Sequence, residues 1–473
     1  MNGANLTDLV LLLPELMLVG MALALILAAR RIQNTPWVAT GTVLAALAAV
    51  LASGWLLSGG SRTGFGGMII LDGYSQFFKI LIASALALAA LLSVRRSDGE
   101  QVHSAEYHAM LLLASTGMMF AASALDLLIL YLGLELMTLC SYILVGITVE
   151  KPASNEAAIK YFLLGSFASA LLLYGIALTY GVTGSTDFAA IAGALDASGL
   201  LSNPILLAAI GLSAAGLAFK ISAVPFHAWA PDVYQGASAQ VAAFLAAASK
   251  AAGIAALGRV CLVAFPSEAR VLSVVLAALA ALSIIVGSII ALAQTDMKRL
   301  LAYSSIAHTG YALLGLISGT PEGASATMTY AFFYVFMTLG AFGVVIALGP
   351  RGESLGGFQG LAAQRPGTAA LMLLFLLSLT GIPPTAGFVA KFVVILSVVR
   401  AGHWALAVLA VGCSVIWAFV YLRVVVLMYM KEPQESVLSN YPWAVSAALA
   451  VAALVTVIGG IFPGSLTFWV VAP

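Results

Sequence analysis

Charge is what this sequence has least of. Only 8% of its 473 residues are Asp, Glu, Lys or Arg, whereas 62% are hydrophobic. A soluble core cannot hide that much apolar surface, so a soluble enzyme or binding module is excluded and a polytopic membrane protein is indicated. The net charge of +1 supplies neither a basic field for nucleic acid nor an acidic tail. Cysteine is scarce as well. Cys140, Cys261 and Cys413 lie in apolar runs without metal-ligand spacing, which argues against a disulfide framework, a zinc site or an iron–sulfur cluster. A CxxC pair, a spaced histidine pair for haem and a glycine-rich strand-to-helix turn are all missing, so no cofactor is expected in this chain. No basic stretch precedes the apolar run starting near Val10, and that run reads as a retained span.

What remains is a succession of apolar runs long enough to cross about 30 Å of hydrocarbon. They fall near 9–29, 36–58, 74–94, 106–123, 125–148, 157–181, 203–235, 239–264, 270–293, 299–318, 325–348, 368–400, 404–429 and 442–466. The expected fold is an all-α polytopic membrane protein of about fourteen transmembrane helices. Orientation follows from basic residues in short loops. Arg30, Arg31, Arg95, Arg96, Lys151, Lys298, Arg299, Arg351, Arg365 and Lys431 fall in or beside odd-numbered loops, and the even-numbered loops hold little beyond Arg62, Arg270 and Arg400. Odd loops therefore face the cytoplasm, and both termini lie on the opposite side.

Two runs are interrupted. The seventh contains Lys220, Pro225 and Pro231, and the twelfth contains Gly381, Pro383 and Pro384 ahead of Lys391. Proline removes a backbone donor and disfavours continuous helix, so the seventh span should open one turn after Lys220. Irregular backbone at membrane depth is tolerated only in packed protein or beside a water-filled cavity. Spans 4–8 and 9–13 then read as two inverted five-helix repeats, each with a broken fourth member, as in transporters. The chain divides into an N-terminal three-helix segment (1–105), a first repeat (106–264), a second repeat (265–430) and a C-terminal span (431–473).

The ionisable residues inside these runs are functional-site candidates by default, because each is costly in hydrocarbon. Glu135 sits near mid-bilayer, Lys220, Lys250 and His308 reach similar depth on other spans, and Lys391 follows the break in the twelfth, so the groups form a row that can run parallel to the membrane plane. Burial disfavours an ammonium and a neighbouring carboxylate favours it, so a buried lysine with a movable carboxylate partner carries a proton with switchable affinity. Glu135 and Lys220 form the natural pair, and the plainer alternative is a static buried ion pair. His308 is either a relay or a packed, hydrogen-bonded histidine. Lys160 lies either in the path or at the interface, and His227 either relays protons or satisfies the broken backbone. Lys79 and Arg423 read as side chains that snorkel to the interface, and Asp126 as an interfacial or helix N-terminal carboxylate.

These residues sit in LYLGLELMTLCSYIL, FKISAVPFHAWAPDVYQGA, AAASKAAG, TDMKRLLAYSSIAHTGY and LTGIPPTAGFVAKF. The chain thereby resembles the antiporter-like membrane subunits of respiratory complex I and of multisubunit sodium/proton antiporters, across nearly all of spans 4 to 13. Lys391, GIPPTAGFVAKF and KYFLLGSFASALLLYG set it nearest the N-type branch of complex I. The resemblance implies a proton-pumping module in which Glu135 tunes Lys220, Lys250 connects two half-channels, Lys391 faces the outlet and Lys160 is an auxiliary lysine. It implies FMN, iron–sulfur clusters and quinone in partner subunits, with M-, K- and J-type neighbours, the lateral helix of an L-type subunit and lipid as contacts. A multi-pass place in the bacterial inner membrane, with both termini periplasmic, goes with it. A cation/proton antiporter subunit and a scaffold that moves no protons are the competing readings.

Overall fold

The computed structural model describes residues 6–29, 36–94, 104–198, 203–266, 269–433 and 441–464. Arg30, Arg31, Arg95 and Arg96, which carry part of the orientation argument, lie outside the described residues. The first run is two helices, α1 (Leu6–Leu11) and α2 (Leu13–Ala28), with Pro14 opening the second. Then come α3 (Pro36–Leu57), α4 (Gly73–Leu92), α5 (Ser104–Ser123), α6 (Leu127–Val145) and α7 (Pro152–Thr183). Between α3 and α4 lies a small antiparallel hairpin, β1 (Arg62–Gly64) with β2 (Ile69–Leu71), and a short helix, α8 (Phe188–Ser198), follows α7. The apolar pattern anticipated neither element, since each is too short to cross a membrane.

The seventh run is α9 (Pro204–Lys220) and α10 (Trp229–Gly236), followed by α11 (Ala239–Ala264), α12 (Ala269–Ala291), α13 (Met297–Ile317) and α14 (Pro321–Leu348). The twelfth run is α15 (Pro366–Thr380) and α16 (Ala386–Arg400), and α17 (Trp404–Met430) and α18 (Trp443–Ile461) close the described chain. Among the described residues ten helices are long and apolar enough to cross a membrane, and α2, α9 and α15 are shorter apolar helices. Among the described residues the fold is thus all-helical apart from the hairpin.

Helix ends follow the local chemistry. Asp72, Asp126, Ser238, Asp296 and Thr320 cap α4, α6, α11, α13 and α14 by accepting backbone N–H bonds, and Pro152, Pro321 and Pro366 sit at first-turn positions where no donor is lost. Close packing relies on small residues, as in membrane bundles. A Cβ on Gly117 of α5 would stand 2.5 Å from the carbonyl oxygen of Gly133 on α6, so neither helix has room for a larger residue there. Three helices, α11, α13 and α14, are buried along their whole apolar windows, while most of α3, α17 and α18 stays uncovered and carries large side chains such as Trp37, Val408 and Val415. The polar row lies among these buried helices.

The seventh run opens sooner than proline chemistry alone suggested. Helix α9 ends at Lys220 itself, and Pro231 lies within the first turn of α10 rather than in the break. Buried Ser222 takes a left-handed φ of 55°, a costly conformation for a non-glycine residue that only surrounding structure sustains. Side chains satisfy the freed backbone groups. Trp229 Nε1 donates to the Phe219 carbonyl (3.1 Å), Thr309 Oγ1 to the Ile221 carbonyl (2.9 Å), and Ser283 Oγ accepts from Val224 N–H (2.9 Å). The second break uses glycine instead. Gly381 ends α15 at φ 91°, and Ser378 Oγ accepts the Gly387 N–H (3.0 Å).

Candidate functional site

Lys220 is the last residue of α9, and its side chain is buried at the break. Its ammonium makes three bonds: to Glu135 Oε1 (3.1 Å), Thr138 Oγ1 (2.7 Å) and Ser169 Oγ (3.1 Å). All three protons of a lysine are thereby used. Ser169 in turn donates to the same Glu135 oxygen. Glu135 keeps 19% of its side chain exposed where its partner keeps 1%, so the carboxylate forms the outer edge of the pair.

Lys250 sits on α11 directly after a π-helical turn, Leu245–Ser249, a distortion that is frequent at functional sites. Its Nζ donates to Thr309 Oγ1 (3.1 Å), whose hydroxyl reaches the Ile221 carbonyl in the break. Thr309 thus joins Lys250 to the end of the Lys220 helix. His308, next to it on α13, bonds through Nδ1 to Tyr330 Oη (2.6 Å), with the rings of Tyr311 and Tyr334 close by. Tyr334 also donates to Ser305 Oγ (2.9 Å).

Lys391 stands beyond the second break, but its ammonium turns back to it, as helix side chains slant toward the N-terminus. It donates to the Thr380 carbonyl (2.8 Å) and to Ser414 Oγ (3.3 Å), and lies 4.4 Å from the centre of the Tyr311 ring. Thr380 is the last residue of α15. The ammonium therefore caps that half-helix, where positive charge is favourable.

Glu135, Lys220, Lys250, His308 and Lys391 are thus brought into one buried system spread over α6, α9, α11, α13 and α16. Lys160 and His227 are not tied to it by these bonds. Lys160 is 44% exposed and pairs with Glu156 (2.8 Å) and Asp232 (3.0 Å), the latter also held by Arg299 (2.7 Å). His227 lies half-buried within the break, beside the backbone of Pro225. Asp126 is a helix N-terminal carboxylate, as expected, accepting from Leu128 and Ile129 N–H. Arg423 binds the carbonyls of Leu292 and Gln294 after α12. Lys79 corrects the snorkelling expectation. It is fully buried, 2.7 Å from Glu15, because α4 is packed inside the protein and has no interface to reach.

Sequence reasoning missed the neutral partners: Thr138, Ser169, Ser305, Thr309, Tyr311, Tyr330, Tyr334 and Ser414. Their signal was available in part, since AYSSIAHTGY crowds five hydroxyl residues around His308. It also missed Arg259, whose guanidinium grips Asp72 at 2.6 and 2.9 Å. Among the described residues no His, Cys, Asp and Glu cluster could hold a metal ion.

A broken-helix bundle crossed by a buried lysine row is the architecture of an antiporter-like membrane subunit. The family model for the transmembrane region of NADH:quinone oxidoreductase and Mrp antiporter proteins matches residues 124–416. NADH-quinone oxidoreductase subunit N of Desulfovibrio desulfuricans is 45% identical, with 98% of this chain and 96% of the relative covered. A chain of the solved respiratory complex I from Thermus thermophilus is 36% identical, superposes with a TM-score of 0.83 and is matched over 96% of this chain and 98% of its own. A chain of the Mrp complex from Dietzia, 23% identical at a TM-score of 0.83 over 98% of this chain and 96% of its own, shares the fold. The chain belongs to the NADH-quinone oxidoreductase subunit N family.

Proposed function

We propose that Glu135, Lys220, Lys250, His308 and Lys391 form the path along which this subunit passes protons, with Thr309 and the tyrosines of α14 connecting them. As a member of its family the chain is a proton-translocating membrane subunit of NADH-quinone oxidoreductase. The observation that carries the path is the Lys220 ammonium, bonded to Glu135 where the helix breaks. A carboxylate and an ammonium in contact there can trade proton affinity as their separation changes. Hydration has support in two buried polar atoms without protein partners along the row: Ser222 Oγ and His308 Nε2. Buried polar groups are normally satisfied, and water is the partner that fits. Lys160 and His227 enter this reading as auxiliary groups beside the path.

The wider reading has fourteen spans: α1 with α2 as the first, α9 with α10 as the seventh and α15 with α16 as the twelfth. Spans 4–8 (106–264) and 9–13 (265–430) are inverted repeats, flanked by 1–105 and 431–473, and each break falls in the fourth helix of its repeat. FMN, iron–sulfur clusters and quinone belong to partner subunits. The neighbours are M-, K- and J-type subunits, the lateral helix of an L-type subunit and lipid of the bacterial inner membrane, with both termini periplasmic. Lys220→Ala in the intact complex tests the path. Coupled NADH:quinone activity should fall while the complex stays assembled, and an assembled mutant with normal activity and a normal proton-to-electron ratio would overturn it.

A further inference from the structure

Away from the central row, a second set of buried polar groups sits in the N-terminal helices. Lys79 Nζ on α4 lies 2.7 Å from Glu15 Oε1 on α2. The two attract, yet neither atom meets hydrogen-bond geometry, and Glu15 Oε2 has no partner either. Gln76, one turn before Lys79, is fully buried with both amide atoms unpartnered, and Ser53 of α3 is in the same state. Each such group, left unsatisfied, costs about 1–3 kcal/mol. A small molecule that both donates and accepts removes that cost, and water is the one that fits.

The polar stripe continues toward the start of α4. Asp72, Gln76 and Lys79 follow one face of α4 at i, i+4 and i+7 spacing. A cavity of about 390 Å³ opens beside the start of α4, lined by Asp8, Leu11, Leu56, Arg62 and Leu71 among others. Leu11, Leu56 and Leu71 also form a small buried cluster of their own. Leu71 immediately precedes Asp72 and Leu11 stands one turn before Glu15, so the three leucines floor the cavity at the head of the polar stripe.

We propose that Glu15, Gln76 and Lys79 form a second, hydrated proton-holding site, entered from this cavity through the Leu11, Leu56 and Leu71 constriction. Apolar constrictions of this kind pass water only when they open. On loading, a hydronium gives its proton to the Glu15 carboxylate and leaves as water. On unloading, the carboxylic acid returns that proton to water, while Lys79 stays an ammonium and Gln76 holds the connecting water. The other charges nearby are engaged elsewhere: Asp8 accepts the Phe65 N–H, Arg62 bonds the Gly59 carbonyl and Asp72 is held by Arg259. His108 of α5 faces Ser93 at the far end of α4.

Two measurements on the intact complex test this. A cryo-electron microscopy map fine enough to display water should contain ordered water on the Gln76 amide reaching Glu15 or Lys79, and a dry amide overturns the site without any substitution. Infrared difference spectra across a pH step should contain a carboxylic C=O band that is lost in Glu15→Gln. A static ion pair gives no such loss, and that result also overturns the proposal. If Glu15→Gln does not assemble, Glu15→Gln with Lys79→Met leaves no charge unpaired and takes its place, and if that also fails the water map decides. Neither measurement involves the central row, so this site fails or stands apart from the path through Lys220.

Discussion

Thr309 donates its hydroxyl to the carbonyl of Ile221, 2.9 Å away, and so ties the helix that carries His308 to the residue just beyond Lys220. The same oxygen accepts from Lys250. One side chain therefore registers both the break and the neighbouring lysine. Thr309→Val keeps the shape and removes the hydroxyl, leaving the Ile221 carbonyl and one Lys250 proton without their partner. At about 1–3 kcal/mol for each buried orphan, the complex should assemble but pump less. Proton-to-electron ratios in reconstituted vesicles check this, and an unchanged ratio would remove Thr309 from the path.

Lys391 distinguishes a carrier from a fixed charge. Arginine can occupy the same place, since the Thr380 carbonyl and the Tyr311 ring also suit a guanidinium. It keeps its proton under nearly all conditions, whereas histidine loads and unloads near neutral pH. Lys391→Arg should therefore impair pumping more than Lys391→His does, with both complexes assembled to normal levels. Pumping by the arginine variant at the rate of the unaltered complex would make Lys391 a static charge.

Arg259 tests stability rather than transport. Its guanidinium satisfies Asp72 bidentately and also reaches the Ala122 carbonyl. Arg259→Met strands a largely buried carboxylate, a loss of about 3–5 kcal/mol for a broken buried pair. Adding Asp72→Asn, which keeps an N-cap acceptor on α4, should recover most of it. Thermal unfolding of the purified complex reads the difference, and equal losses for the single and double variants would contradict the account.

Orientation can be checked by labelling. Ser61 and Glu432 are exposed at connections of opposite parity. Cysteine at Ser61 should react with a membrane-impermeant thiol reagent added outside intact cells, and cysteine at Glu432 should react only after a permeant reagent is used. The reverse pattern would invert the assignment of entry and exit.

The legible part of this molecule was whatever membrane cost makes conspicuous. An ammonium in an apolar run stands out, so Lys220, Lys250 and Lys391 could be picked from the sequence, and prolines 225, 383 and 384 marked both interruptions. Neutral partners do not stand out. Thr138 and Ser169 are ordinary residues of membrane helices, and only the crossing of α6, α7 and α9 places them on Lys220. Lys79 was misread because its run is as apolar as its neighbours, and nothing in one helix reports whether lipid or protein surrounds it. The π-helical turn before Lys250 left no trace in AAASKAAG, because an extra residue per turn is settled by packing and not by local propensity.

Successive members of the row stand on five different helices, and side chains join several of them crosswise. A charge handed along such a path travels sideways, across the helix axes. Moving one elementary charge through the full transmembrane voltage takes about 2.3 kcal/mol per 100 mV, but a step at constant depth crosses almost none of that drop. Under the proposed path, each handover between Glu135, Lys220, Lys250 and Lys391 that keeps its depth would run on local proton affinity, and the electrical work would fall on the entry and exit segments.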